Sequence, residues 1–308
     1  MTNLRKAIQK PKLAVRELNL RYYRVSNQTR FNDDGLNFIE EDWDNMLLLD
    51  ACRFDMFSKF SNISGELSKV QSSGSCTIEF LHANIANQEL HDTVYVTANP
   101  VYHRNRDELN AEFHDVINVW QEDGWDDEYG TVLPETTSEY ARKAAKKYPN
   151  KRLLVHYIQP HYPFIGSDTS FDKQQLHTDP DQRTEDQIRF WFRIFIGSLD
   201  ISPNVVWEAY NSNLRPVLSS VKDLLDDLSG RTIVTADHGN LVAERAFPIP
   251  IHEWGHPCGL YHSKLVNVPW LVVTDGFRKS ISAEPPKNKD GEINSATVEN
   301  RLNDLGYL

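Results

Sequence analysis

Asp50, Asp237 and His238 are the side chains in this sequence best suited to hold a divalent cation. Asp50 closes the apolar run Met46-Leu47-Leu48-Leu49, and the pair Asp237-His238 follows Thr232 to Thr235. Two carboxylates and an imidazole make a hard, mixed oxygen and nitrogen donor set that suits Mg2+, Mn2+, Ca2+ or Zn2+. A lone Asp at the end of an apolar run is explained as well by capping a helix. The whole stretch TIVTADHGN is not, since Gly239 frees the backbone to turn just after the pair. Arg53, three residues beyond Asp50, has two uses open to it: binding an anion, or bracing Asp50 through a salt bridge.

Residues so far apart can meet only if the chain delivers them to one edge of a sheet. Short apolar runs that end in polar residues recur along it: Met46 to Leu49, Thr93 to Thr97, Leu153 to Ile158, Thr232 to Thr235 and Pro269 to Thr274. Continuous apolar runs of this length predict strands buried on both faces, as in a mainly parallel sheet. Helical spacing marks Thr136 to Tyr148 and Asn204 to Leu228, the latter with a kink expected near Pro216 and a stop before Gly230. Strands alternating with helices predict a three-layer α/β/α sandwich around that sheet. In such sheets ligands bind beyond the carboxyl ends of the strands, where Asp50, Asp237 and His238 would stand. The polar stretch Ser167 to Glu185 reads as an insertion near the site, and Pro285 to Asp290 as a linker before a last helix, Val298 to Leu305.

Composition narrows the partners. A net charge of −11 argues against nucleic acid as a partner. The apolar stretches are too short to span a membrane, and no secretory leader opens the chain. The basic, mixed N-terminus (Arg5, Lys6, Lys10, Lys12, Arg16) leaves room for peripheral membrane contact. Three cysteines, Cys52, Cys76 and Cys258, do not resemble a disulfide framework, so the expected compartment is the reducing cytoplasm.

Several segments together resemble the alkaline phosphatase and sulfatase superfamily. TADHGN after an apolar strand resembles its metal-binding motif, and MLLLDACRFD resembles the first motif, with an Arg three residues after the metal Asp. VHYIQPHYPF resembles the segment in which a strand ends in Pro-His-x-Pro. EWGHPCGLYHSKLVNVPWLVV resembles the stretch following the Asp-His pair, and VENRLNDLGYL resembles the closing helix of many prokaryotic sulfatase-like proteins. These segments occur in family order. The resemblance implies an alkaline phosphatase-like fold over residues 1–308 as a single sulfatase-like catalytic domain, with 1–40 an N-terminal extension and 285–308 a linker and helix.

It also implies roles. The nucleophile of the superfamily sits at a helix N-terminus, and the matching segment is SSGSCTIEFLHANI, with a short helix expected over Thr77 to Ile85. Cys76 is the first candidate by alignment, Thr77 the second and Ser75 the third. The positive end of the helix would favour an attacking oxyanion there. Sulfatases that convert Cys to formylglycine use Cys-x-Pro-x-Arg. Here the run is Cys76-Thr77-Ile78-Glu79-Phe80, which argues against conversion, whereas a Thr77 alkoxide fits phosphoryl or phosphoglycerol transfer better. His161 and His256 are expected to face the substrate as leaving-group acids or oxygen ligands. His103 and Arg104 fall where relatives recognise substrate. Gln159 stands where two-metal members place an Asp, so one divalent ion is expected.

The leading expectation is a metal-dependent hydrolase of phosphate or sulfate esters. One alternative keeps the site but transfers a phosphoglycerol or other phosphorylated head group to a glycan or lipid. Another is a non-catalytic binding protein on the same fold. The expected substrate is a small-molecule or glycan- or lipid-linked anionic ester.

Overall fold

The computed structural model describes residues 11–27, 31–121, 123–166, 190–287 and 294–307. The predicted insertion at Ser167 to Glu185 and the basic residues before Pro11 lie outside them. The described elements begin with helix α1 (Pro11–Ser26), strand β1 (Asn45–Leu49), α2 (Phe54–Phe60), β2 (Glu66–Gln71), α3 (Thr77–Ile85) and β3 (Glu89–Thr97). Two short helices, α4 (Val101–Arg104) and α5 (Arg106–Leu109), precede β4 (Glu112–Asn118), α6 (Pro134–Lys147) and β5 (Arg152–Tyr157). Then come α7 (Phe190–Ile196), α8 (Pro203–Leu225), β6 (Gly230–Thr235), β7 (Leu241–Arg245) and β8 (His252–Gly255). The last elements are α9 (Ser263–Val266), β9 (Asn267–Asp275) and α10 (Ser295–Asp304).

Seven strands form one mixed sheet in the order β2-β9-β6-β1-β5-β3-β4. The pairs β6–β1, β1–β5, β5–β3 and β3–β4 are parallel, and β9 runs antiparallel to both of its neighbours. Every residue of β1 is buried, which requires layers on both faces of the sheet and explains the unbroken apolar run. Both edge strands carry charged residues; β2 is largely exposed, and β4 is buried or half-buried beyond Glu112. Their mixed sequences, ELSKVQ and EFHDVIN, lack that signal, and neither is among the runs that predicted strands.

The long helix α8 buries Val206, Tyr210, Leu214, Val217, Val221 and Leu224 along one face. Ser202 caps its start by accepting from the Val205 N–H, which satisfies one of the donors a helix leaves open there. Pro216 lies inside the helix without ending it. A proline at that position cannot donate to the Ser212 carbonyl. Gly166 packs against this carbonyl so closely that a Cβ would come within 2.2 Å of it. Among the described residues no helix is long and apolar enough to cross a membrane.

Candidate metal centre and active site

The parallel register carries the chemistry to one rim. β1 lies between β5 and β6, with Leu48 level with His156 on one side and Thr235 on the other. Two residues beyond this level the chain reaches Asp50, just after β1, and Asp237, just after β6. The turn after Asp50 places Ala51 in the left-handed region, at φ 60°. The Ala51 N–H donates to Asp237 Oδ1 at 3.1 Å, and its carbonyl accepts from the Tyr210 hydroxyl. Asp237 Oδ1 also accepts from the N–H of His238 at 2.8 Å. One oxygen of Asp237 is thus committed to backbone and the other is left to face the site.

Asp50, His156, Asp237 and His238 are all fully buried. Asp50 Oδ1, Asp237 Oδ2 and His156 Nε2 have no hydrogen-bond partner among the described residues. Buried polar atoms without partners are costly, and here three of them converge: donor atoms of Asp50, His156 and Asp237 lie within 4.8 Å of one another. His238 donates its Nδ1–H to the Gly239 carbonyl at 2.7 Å, which fixes the tautomer and turns the Nε2 lone pair inward. That Nε2 stands 3.6 Å from Asp50 Oδ1, 3.4 Å from Asp237 Oδ2 and 3.2 Å from Thr77 Oγ1. Ligands bonded at about 2.0–2.1 Å around a tetrahedral ion sit roughly 3.3–3.4 Å apart, so the spacing fits. His156 Nε2 approaches from the β5 side, 3.8 Å from Asp50 Oδ2 and 3.7 Å from Asp237 Oδ2. Its Nδ1 is held by the Tyr95 hydroxyl at 2.9 Å.

Electrostatics agree with a cation. Burial, and then the neighbouring Asp237, push the carboxyl of Asp50 well above its ordinary range. Burial pulls His156 and His161 down to about 4 and His256 well below its usual value. Two apposed buried carboxylates among neutral imidazoles are unfavourable alone and favourable around a divalent ion.

Thr77 is the first residue of α3 and is buried with its hydroxyl in the site. The approach to it is narrow: a Cβ on Gly74 would lie 2.4 Å from the Phe80 nitrogen. Cys76, the residue before, is joined to Cys258 by a disulfide, with the Cα atoms 5.2 Å apart. Cys76 therefore has no thiol, and the expectation of Cys76 as nucleophile, with or without conversion, is overturned. Ser75 is committed as well, donating to Glu79 and to the Pro257 carbonyl and accepting from the Gly259 N–H.

His161 and His256 meet at 2.8 Å through their Nε2 atoms. His161 gives its Nδ1–H to the Tyr162 carbonyl, so its Nε2 accepts and His256 Nε2–H donates. Asn213 fixes this loop by donating to the carbonyls of Pro160, His161 and Pro163. Gln159 turns away, donating to the Val132 carbonyl at 3.0 Å.

The structure separates the substrate-binding candidates. Arg53 forms ion pairs with Asp55 and Glu244, donates to the Asn240 carbonyl and lies over Trp207. Its guanidinium is spent on these partners, so the anion-binding use is corrected, and so is the expected salt bridge to Asp50. His103 packs beside Trp120, outside the lining of the cavity at the site. Arg104, by contrast, is exposed and lines that cavity of about 430 Å³, whose wall also includes Thr77, His256, Trp191, Trp254 and Arg16.

Two contributors were not among the sequence candidates as site residues. His156 was hidden in the run LLVHYI, where its only signal is a lone polar residue in a strand buried on both faces. Tyr307 reaches the site from the turn after α10, and its hydroxyl donates to Asp50 Oδ2.

No protein-family model and no curated protein matches the chain. Solved structures similar in fold include the zinc complex of the C-terminal periplasmic domain of EptC from Escherichia coli (13% identity, TM-score 0.45, 78% of this chain and 75% of that one). Another is the integral membrane protein lipooligosaccharide phosphoethanolamine transferase A from Neisseria meningitidis (11%, TM-score 0.47, 78% of this chain). This chain spans about half its length, 49%. A third is a protein in the alkaline phosphatase superfamily from Vibrio parahaemolyticus (14%, TM-score 0.42, 94% and 75%). The fold is a mixed α/β architecture around a mostly parallel seven-stranded sheet. The expectation of a cytoplasmic protein is corrected: Cys76 and Cys258 form a disulfide, a bond that persists in an oxidising compartment.

Proposed function

We propose that the protein is a metal-dependent transferase of a phosphorylated head group, working through Thr77. The observation that carries this reading is the placement of the Thr77 hydroxyl at a helix N-terminus, 3.2 Å from His238 Nε2, which itself stands 3.6 and 3.4 Å from the unpartnered oxygens of Asp50 and Asp237. Asp50, Asp237 and His238 would hold a divalent cation, with His156 on its far side. A bound cation lowers the pKa of a nearby hydroxyl and neutralises charge on the ester oxygens. The positive end of α3 favours the same charge.

Thr77 Oγ gives up its proton to solvent and attacks phosphorus, and the bond to the leaving oxygen breaks as the bond to Thr77 forms. The leaving oxygen takes up one proton that the His161–His256 pair draws from water and passes on. In the second half an acceptor alcohol attacks the phosphorus on Thr77 and gives its proton back to water through the same pair. The bond to Thr77 Oγ breaks, and Thr77 takes up a proton from solvent.

Transfer is favoured over hydrolysis by the cavity. Trp191, Phe192, Trp254 and Leu302 give it an aromatic and apolar wall, edged by Arg104 and by Arg16, which Glu253 holds in place. Such a wall suits an amphiphilic ester and a bulky alcohol better than free water. Transfer is also the reaction named for the phosphoethanolamine transferases similar in fold. Hydrolysis of the same ester is the second reading. The test is product analysis with zinc-loaded protein, a phosphodiester lipid and an added sugar or glycerol alcohol. A head group moved to the alcohol in preference to water is expected; inorganic phosphate or the free head group as the sole product would return the protein to the hydrolases.

A further inference from the structure

Helix α10 is pinned by Val298, Leu302 and Leu305 in the core and by Arg301, whose guanidinium lies 4.3 Å over the Trp125 ring. Its end is a Schellman turn. Gly306 takes φ +76°, its N–H donates to the Asn303 carbonyl, and the Tyr307 N–H reaches back to the Leu302 carbonyl. This geometry drives the Tyr307 side chain into the rim of the sheet. There the ring stacks on His161 at 4.9 Å and 1°. The hydroxyl accepts from Asn99 Nδ2 at 2.8 Å, donates to Asp50 Oδ2 and stands 3.2 Å from Thr77 Oγ1. Asn99 is itself fixed, since its Oδ1 accepts from the Val101 N–H and its Nδ2 also donates to Asp50 Oδ2.

We propose that Tyr307 is a catalytic residue of the transfer, its hydroxyl donating to a non-bridging oxygen of the phosphoryl group on Thr77. The inference rests on Thr77 as the nucleophile. Phosphorus bonded to Thr77 Oγ1 carries its remaining oxygens one bond further out, within reach of a phenol 3.2 Å from that atom. The proton count allows the switch. A phenol has one proton, and here it goes to Asp50 Oδ2. The O–H can exchange this acceptor for an ester oxygen, because Asn99 keeps Asp50 Oδ2 paired and holds the phenol oxygen in place. Tyr307 changes no covalent bond; it supplies a fixed donor where negative charge develops, as an oxyanion hole does. The stack on His161 couples it to the histidine pair, so nucleophile, charge acceptor and leaving-group acid share one frame.

The experiment uses the full chain loaded with zinc and the variant Tyr307→Phe, which keeps the ring and its stack. Inorganic phosphate serves as the probe, titrated by calorimetry, so the result does not depend on turnover. Loss of one donor to a charged oxygen is expected to weaken phosphate about tenfold. Turnover of a phosphodiester lipid is expected to fall about 100-fold in kcat, with KM little changed. Zinc affinity should stay within about twofold, and Tyr307→Ala should weaken phosphate no further than the Phe variant if the hydroxyl carries the effect. Equal phosphate affinity in wild type and Tyr307→Phe would overturn the proposal. So would a Phe variant that turns over as fast as wild type or faster, the behaviour of a plug. Failure of the wild type to turn over any ester, with phosphate binding still dependent on the hydroxyl, would instead count against the transferase reading alone.

Discussion

Removing the Cys76–Cys258 bond by Cys258→Ser is predicted to cost a large share of the stability of this chain. The bond closes a loop of 182 positions, and cross-linking a loop of that length removes about 5 kcal/mol of chain entropy from the unfolded state. Residual structure in the unfolded chain takes part of that gain, so about 5 kcal/mol is an upper figure. For a chain of this size it corresponds to a loss of roughly 10 °C in Tm. The same bond ties the residue before Thr77 to the loop that carries His256, so its loss also loosens these two residues, the groups proposed to react, relative to each other. The assay is urea unfolding of wild type and Cys258→Ser, each with and without reductant. Wild type should unfold at lower urea once reduced, and the variant should match reduced wild type and ignore the reductant. Identical midpoints for oxidised and reduced wild type would refute the reasoning, because they would leave the bond without a thermodynamic role.

Asp237→Ala removes one facing oxygen and the acceptor of two backbone N–H groups; calorimetry should show zinc binding lost with circular dichroism little changed, and retention of wild-type zinc affinity would contradict the ligand assignment. Asp55 is opposed by burial, but the hydrogen bonds and charges of Arg53 and Lys264 outweigh this and hold it down at about 2. A carboxyl lowered on folding contributes stability that is present above its unfolded value near 4 and lost as pH falls toward 2. Thermal melts should therefore show wild type losing stability over that window and Asp55→Asn losing less, while parallel profiles would exclude the ion-pair origin.

The central sheet was legible because its inner strands must bury both faces, and only unbroken apolar runs such as Met46 to Leu49 do that. The edge strands β2 and β4 pair on one side only and are less completely buried than the inner strands, so ELSKVQ and EFHDVIN escape that pattern. Asp237 and His238 stood out as candidates through the whole stretch TIVTADHGN, and Asp50 only together with them, since a lone Asp ending a strand can equally cap a helix. His156 did not, since one imidazole inside an apolar run is indistinguishable from a packed core histidine until its neighbours are known. The disulfide was illegible for the same reason: Cys76 and Cys258 are brought together only by the fold. Once they are joined, the choice between Cys76 and Thr77 becomes a matter of direction. Cys76 is extended, at φ −153° and ψ 162°, and its sulfur is bonded to the loop that follows β8, while Thr77 begins the helix and faces the carboxylates. Tyr307 depended on a glycine turn whose meaning is local, and on the docking of α10, which is not.

The most direct test of Thr77 as the group that carries the phosphoryl moiety is peptide mass spectrometry of zinc-loaded protein quenched during turnover of a phosphodiester lipid. A head-group adduct on Thr77 that is absent from Thr77→Ala is the predicted result. An adduct on any other residue, or turnover by Thr77→Ala at the wild-type rate, would contradict the account.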